Sequence, residues 1–280
     1  MSESCSHYMK NPNELPFGYT TITEMGGAHA DMLMDFGVLR LAEGQVWEED
    51  SKDNECAYLL MFGTVKLEWN DRCETIHRDS VWRKQNYVLH VPCGTHVKFT
   101  GCAEATEICV MRTDNDTKFE ARLYVPEDTP DEERLHDILD GCANRFVRTT
   151  FDKRNAPWSN LVVGEVINRP GKWAGYPPHF HNQPEIYYYK FPETGYAHAE
   201  VGMDVYRVEN NDATFMTAGE QHGQAAAPGY AMWYLWVIRH LDGDPYGTPT
   251  DVPAQAWLLD PNAKYIGKGT GAPDTWEDEL

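Results

Sequence analysis

The most informative part of the sequence is GYPPHFHNQPEIYYY, residues 175–189. Side chains two residues apart on a β-strand point to the same face of the sheet. We therefore expect His179 and His181 to enter one cavity while Phe180 packs the other way. Glu185 has the same parity as the two histidines, although Pro184 precedes it and interrupts the strand.

A third histidine follows in the segment TAGEQH, residues 217–222, where Gly219 permits a tight turn. A single histidine beside a strand is more often a hydrogen-bonded core or surface residue than a ligand. The combination of three imidazoles and a carboxylate is a much less frequent coincidence, and it suits a divalent first-row metal ion. We predict one such ion, with Zn, Mn, Fe and Ni all left open, bound by His179, His181, Glu185 and His222.

Strand-like runs fill the chain on both sides of its middle. They include FGVLRL (36–41), AYLLM (57–61), TVKLEW (64–69), YVLHV (87–91), EICVMR (107–112), LVVGEVI (161–167), EIYYYK (185–190), GYAHAEV (195–201), DVYRV (204–208) and AMWYLWVI (231–238). Turn residues separate these runs, which indicates an all-β protein built from antiparallel strands.

One helix is predicted between the two groups of strands. Thr129 and Glu132 form a capping box around Pro130, and Gly141 ends an apolar stripe. We expect one β domain at residues 1–118 and a second at 151–262. A short helical connection at 119–150 joins them, and an acidic tail follows at 263–280.

Composition limits the possible partners. The 24 Lys and Arg residues against 44 Asp and Glu residues give a net charge of −20, which argues against a nucleic-acid partner. The most apolar window, residues 225–238, is shorter than the roughly 18 residues needed to cross a bilayer, and no export signal is visible. Seven cysteines without a two-residue gap read as reduced thiols. We expect a cytoplasmic protein with no membrane partner, and a homo-oligomer is left open.

The His-x-His and glutamate motif, followed by a later histidine, resembles the cupin superfamily of small β-barrels. More specifically, WAGYPPHFH (173–181), EIYYYK (185–190), APGY (227–230) and WYL (233–235) look like the 5-deoxy-glucuronate isomerase family of inositol catabolism. Members of that family are bicupins. The resemblance implies two cupin-type antiparallel β-barrels, of which the second holds the metal.

The resemblance also implies the reaction, an aldose–ketose isomerisation of 5-deoxy-glucuronate through an enediol, with a small-molecule sugar acid as substrate. A residue must move the proton. The candidates on the same strand faces are Tyr187, Tyr189, His198 and Glu200. A cation must bind the substrate carboxylate. Among the basic residues near the motifs, which include Lys190 and Arg207, the substrate-binding candidates are Lys172 and Arg239.

The first half contains PCGTH, residues 92–96, which is similar to a second cupin motif but has no His-x-His partner. We therefore expect His96 to be an ordinary barrel histidine and the first barrel to be metal-free. Ala199 and Glu200 stand where the family has glutamine and arginine. Two alternatives to the isomerase remain open: an iron cupin dioxygenase, and a non-catalytic sugar-binding cupin.

Overall fold

The computed structural model describes residues 6–263 and contains strands and short 3₁₀ segments but no α-helix in that range. The strands are β1 (Tyr8–Met9), β2 (Gly18–Thr23), β3 (Asp35–Leu41), β4 (Val46–Asp50), β5 (Asn54–Trp69), β6 (Arg72–Arg78), β7 (Val88–Val91), β8 (His96–Gly101), β9 (Thr106–Asp114), β10 (Arg122–Tyr124), β11 (Glu132–Arg134), β12 (Arg145–Phe151), β13 (Leu161–Asn168), β14 (Trp173–Phe180), β15 (Glu185–Lys190), β16 (Ala197–Val201), β17 (Asp204–Val208), β18 (Ala213–Met216), β19 (His222–Ala226), β20 (Met232–Arg239) and β21 (Thr250–Asp251). The 3₁₀ segments are Ala30–Met32, Pro126–Asp128, Leu139–Gly141 and Ala256–Leu259. None of these helical segments is long and apolar enough to cross a membrane. The prediction of an all-β protein is confirmed.

The described strands form three antiparallel sheets. Sheet A has the order β1-β18-β15-β20-β13-β12-β11, and sheet C has the order β17-β16-β19-β14-β21. Sheet B contains β2 to β10, with β5 at its centre. Sheet B therefore uses the first half of the chain, whereas sheets A and C use the second half together with β1. The predicted tail at 263–280 lies outside the described residues except for its first residue.

A buried apolar layer joins the two halves. Ala57, Leu59 and Met61 of β5 share one core cluster with Leu161 and Val163 of β13. The intervening residues of β5 belong to a second cluster on the opposite face. Both faces of these strands are thus buried, which explains why the sequence shows continuous apolar runs instead of apolar–polar alternation.

The side chains of strand β15 also point alternately to two buried interiors. Ile186 and Tyr188 point into the layer between the halves, whereas Tyr187 and Tyr189 point into a third cluster between sheets A and C. Glu185 is buried and has the parity of the second pair. The strand therefore directs a carboxylate into the space between sheets A and C.

The α-helix predicted over residues 129–141 is wrong. The segment instead forms β11, which pairs with β12, and the 3₁₀ segment Leu139–Gly141. Leu135 and Leu139 have left-handed φ angles of 54° and 46°, which an α-helix does not accommodate. Strand pairing satisfies the backbone here and overrides the local capping signal. The predicted helical connection is thus reduced to short 3₁₀ segments between strands.

A buried ion-pair network connects sheets A and B. Arg78, at the end of β6, lies 2.8 Å from Glu165 on β13, and both side chains are fully buried. Arg148 donates to the same carboxylate at 2.8 Å, and the indole of Trp233 donates to it at 3.0 Å. Asp131 pairs with Arg148 and supplies a second negative charge. Three donors, drawn from both halves of the chain, therefore share one glutamate.

Replacing Glu165 with glutamine should lower the free energy of unfolding by about 3 to 5 kcal/mol, because two buried guanidinium groups lose their shared counter-ion. Chemical denaturation would measure the loss. The matched control is Glu120→Gln, which removes an exposed partner of Arg72 and should change stability by less than about 1 kcal/mol. Equal stability of the two variants would contradict this account of the network.

Candidate metal centre

Three of the four predicted ligands converge. The Nε2 atoms of His181 and His222 lie 3.0 Å and 3.2 Å from the same carboxylate oxygen, Oε2 of Glu185. One potential ligand atom from each residue lies within 4.8 Å of the others. His181 follows β14, Glu185 opens β15 and His222 opens β19, so sheets A and C together build the cluster.

Backbone carbonyls orient both imidazoles of this cluster. The Nδ1 atom of His181 contacts the carbonyl of Gln183 at 2.9 Å, and Nδ1 of His222 contacts the carbonyl of Glu220 at 3.0 Å. A proton on each Nδ1 satisfies these contacts and leaves the Nε2 lone pair directed at the cluster. Metal-binding histidines are commonly held in this way.

The donor set fits a divalent metal ion. The Nε2 atom of His222 is buried and has no hydrogen-bond partner within the described part of the chain. An unpartnered acceptor beside a carboxylate is costly in a dry interior, and a cation would satisfy both groups. Imidazole nitrogen with carboxylate oxygen is a donor set that first-row metals accept.

His179 lies beside the cluster and not within its 4.8 Å limit. It pairs with His222 across β14 and β19, and the two ring centroids are 4.5 Å apart. The Nδ1 atom of His179 faces the carbonyl of Pro177 at 3.3 Å. The fourth predicted ligand is therefore adjacent to the other three, and its metal binding stays a prediction.

Burial sets the protonation of the site. Burial lowers the pKa of His179 to about 3, and the neighbouring His222 adds to this effect. Burial opposes ionisation of Glu185, but the neighbouring imidazoles of His181 and His222 outweigh it and lower the pKa of Glu185 to about 2. The site thus presents a neutral imidazole and an ionised carboxylate at neutral pH, the forms that bind a metal ion.

A cavity of about 450 Å³ opens beside the cluster. His179 and Glu185 form one part of its wall, and Tyr187, Tyr234 and Tyr246 add phenol groups. Basic side chains also line it, namely Arg134, Arg145, Lys153 and Arg154. A polar molecule with a negative charge suits this wall.

Of the four predicted proton-transfer candidates, Tyr187 lines the cavity and packs 5.8 Å from the ring of His222. Tyr189 is buried away from the cavity wall, where its hydroxyl bonds to Thr214 and to Gln224. His198 is exposed, and Glu200 accepts a hydrogen bond from Gln221 at 2.8 Å. The structure therefore brings only Tyr187 of these four to the cavity.

The two predicted carboxylate-binding residues lie away from the cavity wall. Lys172 donates to the carbonyl of Asp140 at 3.3 Å. Arg239 is buried against Thr113 and Asp114, to which it donates at 2.7 Å and 3.1 Å.

The other two basic residues near the motifs are also engaged elsewhere. Lys190 pairs with Glu107 and Arg207 with Glu209. In the first half, His96 is exposed and contacts Asp50 at 2.8 Å.

Sequence reasoning missed Arg134, Arg145 and Tyr246. Arg134 and Arg145 were assigned to the incorrect helical connection, so no strand face was available to orient them. Tyr246 lies in the loop after β20, and its ring packs edge-on against His181 at 5.0 Å. If β11 and β12 had been assigned as paired strands, the two arginines would have been predicted to lie opposite each other.

Comparison with known proteins gives the family. Residues 8–258 match the KduI/IolB family. The 5-deoxy-glucuronate isomerase of Bacillus licheniformis is 27% identical over 257 residues, which cover 83% of this chain and 92% of that protein. The 5-deoxy-glucuronate isomerase of Bacillus velezensis is 25% identical, with 91% and 99% coverage. These names support an isomerase, as the resemblance predicted, and do not favour the oxygenase or the sugar-binding alternative.

Solved structures agree on the fold. An IolB-like protein from Salmonella typhimurium superposes with a TM-score of 0.77 at 21% identity, covering 87% of this chain and 96% of that one. An oxalate decarboxylase from Bacillus subtilis has a TM-score of 0.62 at 12% identity, with 90% and 81% coverage. These cupin-like neighbours agree with the all-β fold. The match to the family over nearly all of the described residues shows that this chain belongs to the KduI/IolB family.

Proposed function

We propose that this protein is a metal-dependent isomerase that interconverts the aldose and ketose forms of a sugar acid of the 5-deoxy-glucuronate type. The main support is that His181, Glu185 and His222 converge in one cluster, and that Glu185 of this cluster lines a cavity with phenol and guanidinium groups. The names of the curated relatives supply the reaction and the substrate class.

The proposed ligands are His181, Glu185 and His222, with His179 as the fourth. A divalent ion held there would polarise the substrate carbonyl and stabilise negative charge on its oxygen. The surrounding carbonyls hold the imidazoles in the required tautomer before any ligand arrives. Glu185 and His222 are themselves buried, so their ligand atoms are shielded from bulk water.

Tyr187 is the proposed hydrogen-bond donor to a substrate oxygen. Burial, assisted by the charge of Glu185, raises the pKa of Tyr187 well above its ordinary value. The phenol therefore stays protonated and serves as a donor, not as the base that removes a proton. Tyr187 lines the same cavity as Glu185 and the basic side chains, which suits contact with an oxygen on the chain of a sugar.

We also infer that the chain forms two barrels. The separation of sheet B from sheets A and C by chain position supports this division. The pairing of β1 with β18 means that the N-terminal residues belong with the second barrel. The first barrel then acts as a packing partner of sheet A through the shared apolar layer.

The purified protein should contain about one first-row metal ion per chain, and His181→Ala or His222→Ala should lose most of it together with isomerase activity, because each change removes one ligand. Elemental analysis and NMR of a 5-deoxy-glucuronate incubation would measure the two losses. The matched control is His198→Ala, an exposed histidine on β16. Full metal content in the ligand variants would contradict the proposed site.

Tyr187→Phe should lower kcat roughly 10- to 100-fold while metal content is unchanged, because a donor to the substrate is lost and the ring remains. Tyr189→Phe is the matched control on the same strand face. Its hydroxyl bonds to Thr214 and Gln224, so this variant should lose stability and keep its kcat. The opposite pattern in the two variants would contradict the assignment.

The metal-free protein should lose stability as the pH falls from 6.5 towards 4.5. An unfolded chain protonates His179 near its ordinary pKa of 6.5, whereas the folded chain resists protonation down to about 3. The unfolded state therefore binds more protons in this interval, at a cost of roughly 1.4 kcal/mol per pH unit. Glu185 contributes in the same direction below pH 4.5, because its folded pKa is about 2.

Denaturant unfolding at several pH values would measure this slope, and His179→Gln should make it shallower. An unchanged slope in that variant would show that His179 does not resist protonation in the fold.

A further inference from the structure

Arg145 is a buried cation without a carboxylate partner. Its side chain is 8% exposed, and its guanidinium donates one hydrogen bond, to the carbonyl of Ala143 at 3.0 Å. No ion pair involves Arg145 within residues 6–263. The other buried arginines of this range, Arg78, Arg148 and Arg239, each pair with an acid. Buried charges are normally compensated, so Arg145 is an exception that needs an explanation.

A second arginine stands directly opposite. Arg134 on β11 is the cross-strand partner of Arg145 on β12, and both side chains line the cavity. Like charges opposite one another destabilise a strand pair. Arg134 has one acidic contact, an exposed pair with Glu132 at 2.8 Å. The fold thus keeps two guanidinium groups together at a wall of the cavity without neutralising the buried one.

The remaining cations of the cavity are engaged differently. Lys153 donates to the carbonyls of Pro157 and Ser159 at 3.0 Å and 2.6 Å. Arg154 pairs with Asp152 at 2.7 Å. Arg145 is therefore the cavity cation that is both buried and open to a new anionic partner.

Two tyrosines connect Arg145 with the candidate metal centre. Tyr187 and Tyr234 line the same cavity, with ring centroids 4.9 Å apart. The charges of Arg145 and Glu185 both act on the pKa of the Tyr234 phenol. Because Glu185 and Arg145 line the same cavity, one bound molecule can face both side chains.

We propose that Arg145, assisted by Arg134, binds the carboxylate of the substrate and thereby sets the preference for sugar acids over neutral sugars. This inference rests on the proposed function, which places the reacting end of the substrate at the metal centre. The binding of a carboxylate can nevertheless be measured without any reaction. A guanidinium donates two parallel hydrogen bonds to a carboxylate, which adds specificity for a planar anion. Such an anion would also relieve the repulsion between the two arginines.

The test compares D-gluconate with D-glucitol, two six-carbon polyols that differ by the carboxylate. Calorimetric titration of the wild-type protein should show tighter binding of gluconate. Arg145→Gln should weaken gluconate binding about 10- to 100-fold and leave glucitol binding unchanged. Arg145→Lys should restore part of the preference, because it keeps the charge. Lys172→Gln, which changes a cation outside the cavity wall, is the control.

A His181→Ala background separates this proposal from the proposed function. That variant should lose metal and activity and still prefer gluconate, so that its preference reports the guanidinium alone. The absence of a gluconate preference in the wild-type protein would overturn the proposal. So would a preference that survives Arg145→Gln in the His181→Ala background, or one that disappears in Lys153→Gln instead.

Steady-state kinetics distinguish binding from a merely structural effect. Arg145→Gln should raise KM for the sugar acid more than it lowers kcat, and its thermal stability without ligand should equal or exceed that of the wild type, because an uncompensated buried charge is removed. A large loss of unliganded stability with unchanged KM would assign Arg145 to the fold instead.

Discussion

The buried carboxylate of Glu185 is the constraint on which the site depends. An ionised group inside a protein needs compensating partners, and the neighbouring imidazoles of His181 and His222 keep the pKa of this carboxyl below its usual range. Those imidazoles are in turn fixed by backbone carbonyls. The arrangement leaves nitrogen lone pairs and a negative charge directed at one point, and a divalent cation is the partner that satisfies them together.

The geometry of strand β15 positions the carboxylate of Glu185. Strand β15 lies between β18 and β20 with both faces buried, so its alternate side chains serve two different interiors. Ile186 and Tyr188 join the layer that attaches the second half of the chain to the first. Glu185 and Tyr187 face the space where sheets A and C meet. Core residues and site residues therefore alternate along one strand and occupy different positions.

The sequence predicted the positions of side chains where local rules set them. It did not predict them where pairing between distant segments sets the structure. Residue parity predicted that His181, directly after β14, and Glu185 on β15 face the same space, and His222 lies beside them as predicted. The capping pattern at Thr129 failed because β11 pairs with β12, and this error concealed Arg145 and Arg134. Arg239 follows an apolar strand as a cavity cation would, yet Asp114, more than a hundred residues away, holds it elsewhere. Such long-range partners leave no local pattern.

We propose that one metal ion binds where sheets A and C meet. A crystal structure of the metal-loaded protein, with anomalous diffraction recorded on both sides of the absorption edge of the bound metal, tests it most directly. The account predicts a single strong anomalous peak bonded to His181, Glu185 and His222, with His179 turned towards it. A peak bonded to other residues, or no peak from metal-replete protein, would contradict the account.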